Sequence, residues 1–139
     1  MKALIDTCVI IDALADRRPF SAAAREIMLS CANRRFEGYI TAKAGTDIYY
    51  ILHKYTHDDK ETRKNLSALL SLVDVLDSSS ADLRRAIFSD IADFEDAMMA
   101  ETAMREKMDC LVTRNIKDYK ASGITIFSPD EFLERLRGA

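Results

Sequence analysis

The stretch Asp93–Tyr119, "DFEDAMMAETAMREKMDCLVTRNIKDY", decides the fold. It starts with acids at 93 and 96, as suits a first helical turn, and continues through an alanine- and methionine-rich segment with no helix breaker. "DCLVT" then reads as a short apolar strand, and "RNIKDY" as the polar loop that leaves it. The same helix-to-strand rhythm runs outward in both directions. Strands are expected at Lys2–Ile5, Gly38–Thr41, Val73–Leu76, Asp109–Thr113 and Thr125–Phe127. The first and fourth are continuous apolar runs, as expected of strands covered on both faces. Helices are expected between them. Ser21 is expected to cap one whose face carries Ala24, Ile27, Met28 and Cys31. "AKAGTDIYYILHKYT" forms a second, and a third carries Leu66, Leu69, Leu70 and Val73 at helical spacing. A fourth covers "SADLRRAIFSDI", and a fifth starts at Asp93. The last opens on a capping box of Ser128 and Glu131 with Pro129 at its first position. Alternating strands and helices predict an α/β chain with a mostly parallel sheet of four or five strands. Residues 1–139 read as one domain.

Bulk composition narrows the function classes. The chain has 139 residues, 48% of them hydrophobic and 31% charged, an ordinary globular balance that argues against disorder. No apolar run reaches the roughly 18 residues of a membrane span. Asp6 and Asp12 interrupt the apolar N-terminus, which argues against a secretory signal. Three cysteines without metal-type spacing read as reduced thiols in a cytoplasmic protein. A net charge of −3 is no nucleic-acid footprint by itself.

The chemistry is expected at the acids. Asp6, Asp47, Asp93, Asp96 and Asp118 all fall at strand ends or on the helices that follow. In a parallel sheet the carboxyl ends of the strands open onto one crevice. Acids gathered there repel unless a cation lies between them, and oxygen ligands suit Mg²⁺ or Mn²⁺. Each acid also has a plainer reading. Asp6 precedes a helix and fits an N-cap as well as a ligand. Asp93 fits an N-cap, with Asp96 on the same side and able to reach the crevice. Asp47 lies on an apolar helix and needs a partner, a metal or an Arg. Asp12 reads as a surface residue. Thr113, Arg114, Asn115 and Asp118 place a hydroxyl, a guanidinium and a carboxylate in one loop, a set suited to phosphate and hydrated metal, although Asn115 also suits a turn. His53 and His57 have the spacing of a two-histidine zinc site, but no third ligand is evident. Arg17, Arg18, Arg34 and Arg35 read as solvated clusters, with RNA steering as the alternative.

Together, "LIDTCVIIDAL", "ITAKAGTDIYYILHK" and the 93–119 stretch resemble the PIN domain, in the bacterial branch related to VapC-type toxins. The resemblance implies a three-layer α/β/α fold and an acidic pocket that binds Mg²⁺ or Mn²⁺. It also implies endoribonuclease activity, a homodimer and control by an antitoxin protein. By position it makes Asp6, Asp47 and Asp96 the catalytic acids and metal ligands, with Asp118 as a further ligand. Asp93 becomes a helper or cap, and Thr7, Thr113, Arg114 and Asn115 face the RNA. The sequence departs from the family's pattern at two positions. Asp47 stands where glutamate is common, so its metal contact is expected to run through water. Asn115 replaces a common aspartate, which weakens a second metal site unless Asp118 compensates. A dehalogenase-type phosphatase wants an acid where Cys8 stands, and a receiver domain wants an acidic pair at Asp6. The rival from another class is a PIN-like module that binds RNA or protein without turnover.

Overall fold

A computed structural model describes residues 1–138. Five parallel strands form one sheet: β1 (Lys2–Ile5), β2 (Glu37–Thr41), β3 (Asp74–Leu76), β4 (Cys110–Val112) and β5 (Ile126–Phe127). Their order is β3-β2-β1-β4-β5. Seven helices surround them: α1 (Thr7–Leu14), α2 (Ser21–Ala32), α3 (Ala42–Thr56), α4 (Asp59–Leu70), α5 (Ser80–Ile87), α6 (Phe94–Arg105) and α7 (Pro129–Arg137). A 3-10 turn, Ile116–Tyr119, follows β4. The expected strands are all present, with ends shifted by one residue at most, and the sheet is parallel throughout.

Strand alternation sorts the apolar residues into two cores. Ala3, Ile5, Ile40, Cys110 and Val112 face a cluster with Val9, Ile10, Ile27, Ile48, Leu69 and Phe132. Leu4, Leu76 and Leu111 face the other, with Ala97, Met99, Ala100, Ala103 and Tyr119. The sheet is therefore covered on both sides, which makes three layers and explains the unbroken apolar runs of β1 and β4. Small residues on α6 let it lie close to the sheet, because Ala97, Ala100 and Ala103 are almost wholly buried. Gly38 serves a similar end. A Cβ there would stand 2.8 Å from Cys31 Sγ, so β2 has room only for glycine under α2.

Several local expectations need correction. Phe20, not Ser21, occupies the N-cap of α2, and Ser21 is buried as the first helical residue. Leu70 is 49% exposed, because the core side of α4 turns through Leu69. At α7 only half of the box forms: Ser128 accepts from the Glu131 amide at 3.1 Å. The reciprocal box lies at α5, where Ser79 and Asp82 each accept the other's backbone amide. Asp12 is no surface residue. It is 1% exposed and holds Arg17 Nε at 2.8 Å and Arg114 Nε at 2.6 Å. A carboxylate can be buried there because two guanidiniums meet it. Among the described residues, no helix is long and apolar enough to cross a membrane.

Candidate active site

The chain turns from one half of the sheet to the other at the β1–β4 boundary, and the crevice of such a fold opens at that point. Asp6 leaves β1 there, its amide still held by Val112 O at 2.9 Å. It occupies the N-cap position of α1, yet its side chain makes no capping hydrogen bond. The carboxylate turns inward, 6% exposed, and accepts from Thr113 Oγ1 at 2.7 Å. Thr113 ends β4 in the same way and takes the Asn115 amide on its own oxygen at 3.0 Å. The plain N-cap reading of Asp6 therefore fails, and its side chain is free for other chemistry.

Asp96 comes from the opposite wall, in the first turn of α6. Asp93 caps that helix through the Asp96 amide at 3.0 Å. The cap directs the Asp96 side chain towards Asp6, and Tyr119 joins the two. The Tyr119 hydroxyl lies 2.9 Å from Asp96 Oδ1 and 3.5 Å from Asp6 Oδ2. One phenolic proton serves one carboxylate at a time, so the pair stays short of positive charge. Burial pushes the Asp6 carboxyl above its usual range against the hydrogen bond from Thr113. Burial also lifts Asp96, to about 6, with the charges of Asp6, Asp93 and Asp118 adding to it. The Tyr119 phenol is likewise pushed up, by burial and by both carboxylates.

A cleft of about 300 Å³ opens over this pair. Asp6, Thr7, Asp47, Glu95 and Asp96 line it, with Thr41, Lys43 and Ser78 as further polar groups and Ile51, Met98 and Met99 as apolar wall. The structure thus brings Asp6, Thr7, Asp47 and Asp96 to one opening. Asp47 does not turn its carboxylate to the pair, because Lys43 Nζ holds it at 2.7 Å and bridges to Glu95 at 3.0 Å. Thr113 stands beneath, against Asp6. Asn115 and Asp118 are exposed on the loop beyond, outside the cleft lining. Arg114 is also elsewhere: Asp12 binds its guanidinium, which stacks over the Phe20 ring at 4.0 Å. Of the two histidines weighed for zinc, His53 stacks on Tyr49, while His57 ends α3 in a left-handed conformation.

The donor set fits a hard divalent cation. Both carboxylates present oxygen, no basic side chain among the described residues is bonded to either, and magnesium is often held by only one or two carboxylates with water completing its shell. Asp6 and Asp96 are the residues that would hold it. Among the described residues no set of three His, Cys, Asp or Glu is gathered for a metal, since the third acid is held by Lys43. Sequence reasoning missed Tyr119, Lys43 and Glu95. The signal for Tyr119 was an aromatic residue closing a polar loop; nothing local marked the other two.

Known proteins share the fold. The chain is similar to ribonuclease VapC1 of Aquifex aeolicus (strain VF5), 25% identical over 142 residues that cover 96% of this chain and 94% of the relative. Among solved structures it resembles a chain of VapBC2 from Rickettsia felis bound to a promoter DNA fragment, with a TM-score of 0.72 and 18% identity. That match covers 92% of this chain and 98% of the other. A toxin–antitoxin complex from Klebsiella pneumoniae matches with a TM-score of 0.66 and 23% identity, over 91% of this chain and 97% of that one. The family model for the PIN domain matches residues 2–117, and the chain belongs to that family.

Proposed function

We propose that the protein is a Mg²⁺- or Mn²⁺-dependent endoribonuclease, the toxin of a toxin–antitoxin pair acting in the cytoplasm. The observation that carries the catalytic reading is the convergence of Asp6 and Asp96 on one buried tyrosine hydroxyl without a cationic partner. A buried and a half-buried carboxylate left like this are a standing electrostatic cost unless a cation joins them. The similarity to ribonuclease VapC1 supports RNA as substrate, and the toxin–antitoxin neighbours support a protein partner that restrains the enzyme. Large apolar side chains exposed along α5 and at the start of α6, Leu83, Ile87, Phe88 and Phe94, support self-association.

The divalent cation, when bound, supplies Lewis acidity, lowering the pKa of water and offsetting charge on the phosphate oxygens. The chain's own residues prepare the site. Asp6 and Asp96 would present their oxygens to the cation. Thr113 fixes the rotamer of Asp6 and Tyr119 fixes that of Asp96, so both approach in one orientation. Thr7 lines the cleft that the RNA backbone would enter, while Thr113 lies buried beneath Asp6 and Asn115 stays outside. Met98, Met99 and Ile51 give the cleft a dry wall, which strengthens every charge interaction inside it. Asp47 is one neighbour removed, held by Lys43, and contributes negative potential at the mouth. The reaction is hydrolysis: water oxygen bonds to phosphorus as the bond from phosphorus to the leaving ribose oxygen breaks.

Incubating a mixed RNA pool with purified protein tests this reading. Cleavage with Mg²⁺ or Mn²⁺, none with EDTA, and none by Asp96→Asn is expected. Equal cleavage by wild type and Asp96→Asn, both folded by circular dichroism, would place the chemistry elsewhere.

A further inference from the structure

Among the described residues, Lys43 is the one basic side chain in the lining of the cleft, where it faces four carboxylates. Its position follows from local structure. Thr41 caps α3 by accepting the Ala44 amide at 3.0 Å, which sets Lys43 in the first turn at the mouth of the cleft. From there Nζ reaches Asp47 at 2.7 Å on its own helix and Glu95 at 3.0 Å on α6. All three side chains are open to water, with exposures of 45%, 35% and 72%. Ion pairs this exposed are weak and screened by salt, so they hold the ammonium without committing it. A four-carbon stem leaves it free to swing to another anion.

The other cation expected to meet phosphate is not free to do so. Arg114 is tied to a carboxylate that is 1% exposed and is stacked on Phe20. Releasing it would leave a buried charge short of a partner. Lys43 can leave Asp47 and Glu95 at far smaller cost, because water solvates both acids.

We propose that Lys43 is the phosphate-binding residue of the cleft, exchanging its carboxylate partners for an RNA phosphate next to the one that is cleaved. The inference rests on the ribonuclease reading. It assigns substrate binding to a residue that would otherwise serve only as a tie between α3 and α6. A contact to a neighbouring phosphate acts equally in the bound and transition states, so its loss appears in KM and not in kcat.

The test uses a short fluorescein-labelled single-stranded RNA of mixed sequence and full-length protein. Binding is measured by anisotropy across a salt series in the Asp96→Asn background, which removes turnover, with Lys43 intact, as Lys43→Gln or as Lys43→Arg. A single lost phosphate contact lowers the slope of log affinity against log salt by about 0.7, or about fivefold in affinity at 0.1 M salt. Lys43→Gln is expected to show this loss and Lys43→Arg to restore the slope. In the otherwise wild-type enzyme, Lys43→Gln is expected to raise KM about fivefold with kcat unchanged. A purely structural tie would lower the thermal midpoint and leave the salt slope intact, which would overturn the proposal. Metal-dependent cleavage with an unchanged slope in Lys43→Gln would overturn the role of Lys43 while the ribonuclease reading stands. Absence of both RNA binding and cleavage in the wild type would overturn both.

Discussion

Asp6 and Asp82 are both buried carboxylates at helix starts, and they are treated in opposite ways. Asp82 is fully buried between α5 and α6, where Arg105 meets it from Nε at 2.8 Å and Nη2 at 3.0 Å. Thr102 adds a hydroxyl at 2.8 Å and the Ser79 amide a bond at 3.1 Å. Burial alone would raise its carboxyl, but the guanidinium, the amide and the hydroxyl outweigh it and hold it below the usual range. Asp6 has hydroxyl partners but no guanidinium, so burial outweighs its hydrogen bonds and its carboxyl is raised. Asp82 carries its counter-ion in the fold, and Asp6 does not. The comparison teaches where to look for an external cation: at the buried acid that the protein has oriented without neutralising.

Substitutions can break the comparison from either side. The largest effect is expected at the cleft. Asp6→Asn or Asp96→Asn should lower RNA cleavage at least about a thousandfold, equivalent to about 4 kcal/mol of transition-state stabilisation. Neither should lower the thermal midpoint in EDTA, because each removes an uncompensated charge. The reverse pattern is expected at Asp82. Asp82→Ala should cost about 3 kcal/mol in urea unfolding, since it strips Arg105 of its partner and removes the side-chain half of the α5 capping box. Cleavage per folded molecule should be unchanged. Tyr119→Phe keeps the ring and removes only the hydroxyl that orients Asp96. Metal titration followed by cleavage should show affinity reduced about tenfold.

Acidity gives the smallest and most discriminating effect. Asp96 has a folded value of about 6, above its ordinary 3.8. A raised carboxyl stabilises the fold below the unfolded value and loses that contribution as pH rises through the folded one. In EDTA the thermal midpoint should therefore fall between about pH 4 and pH 6, and Asp96→Asn should flatten that fall. Asp82, depressed below 3.8, contributes above its unfolded value and loses that stability as pH drops through the folded one. A loss below about pH 4 should vanish in Asp82→Ala. If both variants changed the same limb of the curve, the contrast between the two acids would be wrong.

Much of this was legible in the sequence, for physical reasons that differ by residue. Asp6 stood out because an apolar strand ended on it, and the fold's topology puts every such end on one crevice. Asp93 showed its capping role through helical spacing alone, and the two-faced burial of β1 and β4 showed in their unbroken apolar runs. Contacts between distant segments were not legible. Asp12 looks like a surface acid until Arg114 arrives from 102 residues away. Tyr119 reads as a loop aromatic until the 3-10 turn inserts its hydroxyl between two acids 113 and 23 residues distant. Asp82 drew no notice in the sequence, because its guanidinium partner lies 23 residues on. Lys43 and Asp47 are neighbours on one helix, but Glu95 joins them only when α3 and α6 meet over the cleft. Periodicity places a residue on an element; it does not say which element will face it.

The central claim is that the cleft is completed by a divalent cation held by Asp6 and Asp96. Mn²⁺ titration at pH 7, followed by thermal unfolding of wild type, Asp6→Asn and Asp96→Asn, tests it most directly. The account predicts that Mn²⁺ at about one hundred times its dissociation constant stabilises the wild type by about 2.7 kcal/mol. It predicts little or no stabilisation of either variant at the same concentration. Equal stabilisation of all three proteins, or none in the wild type, would contradict it.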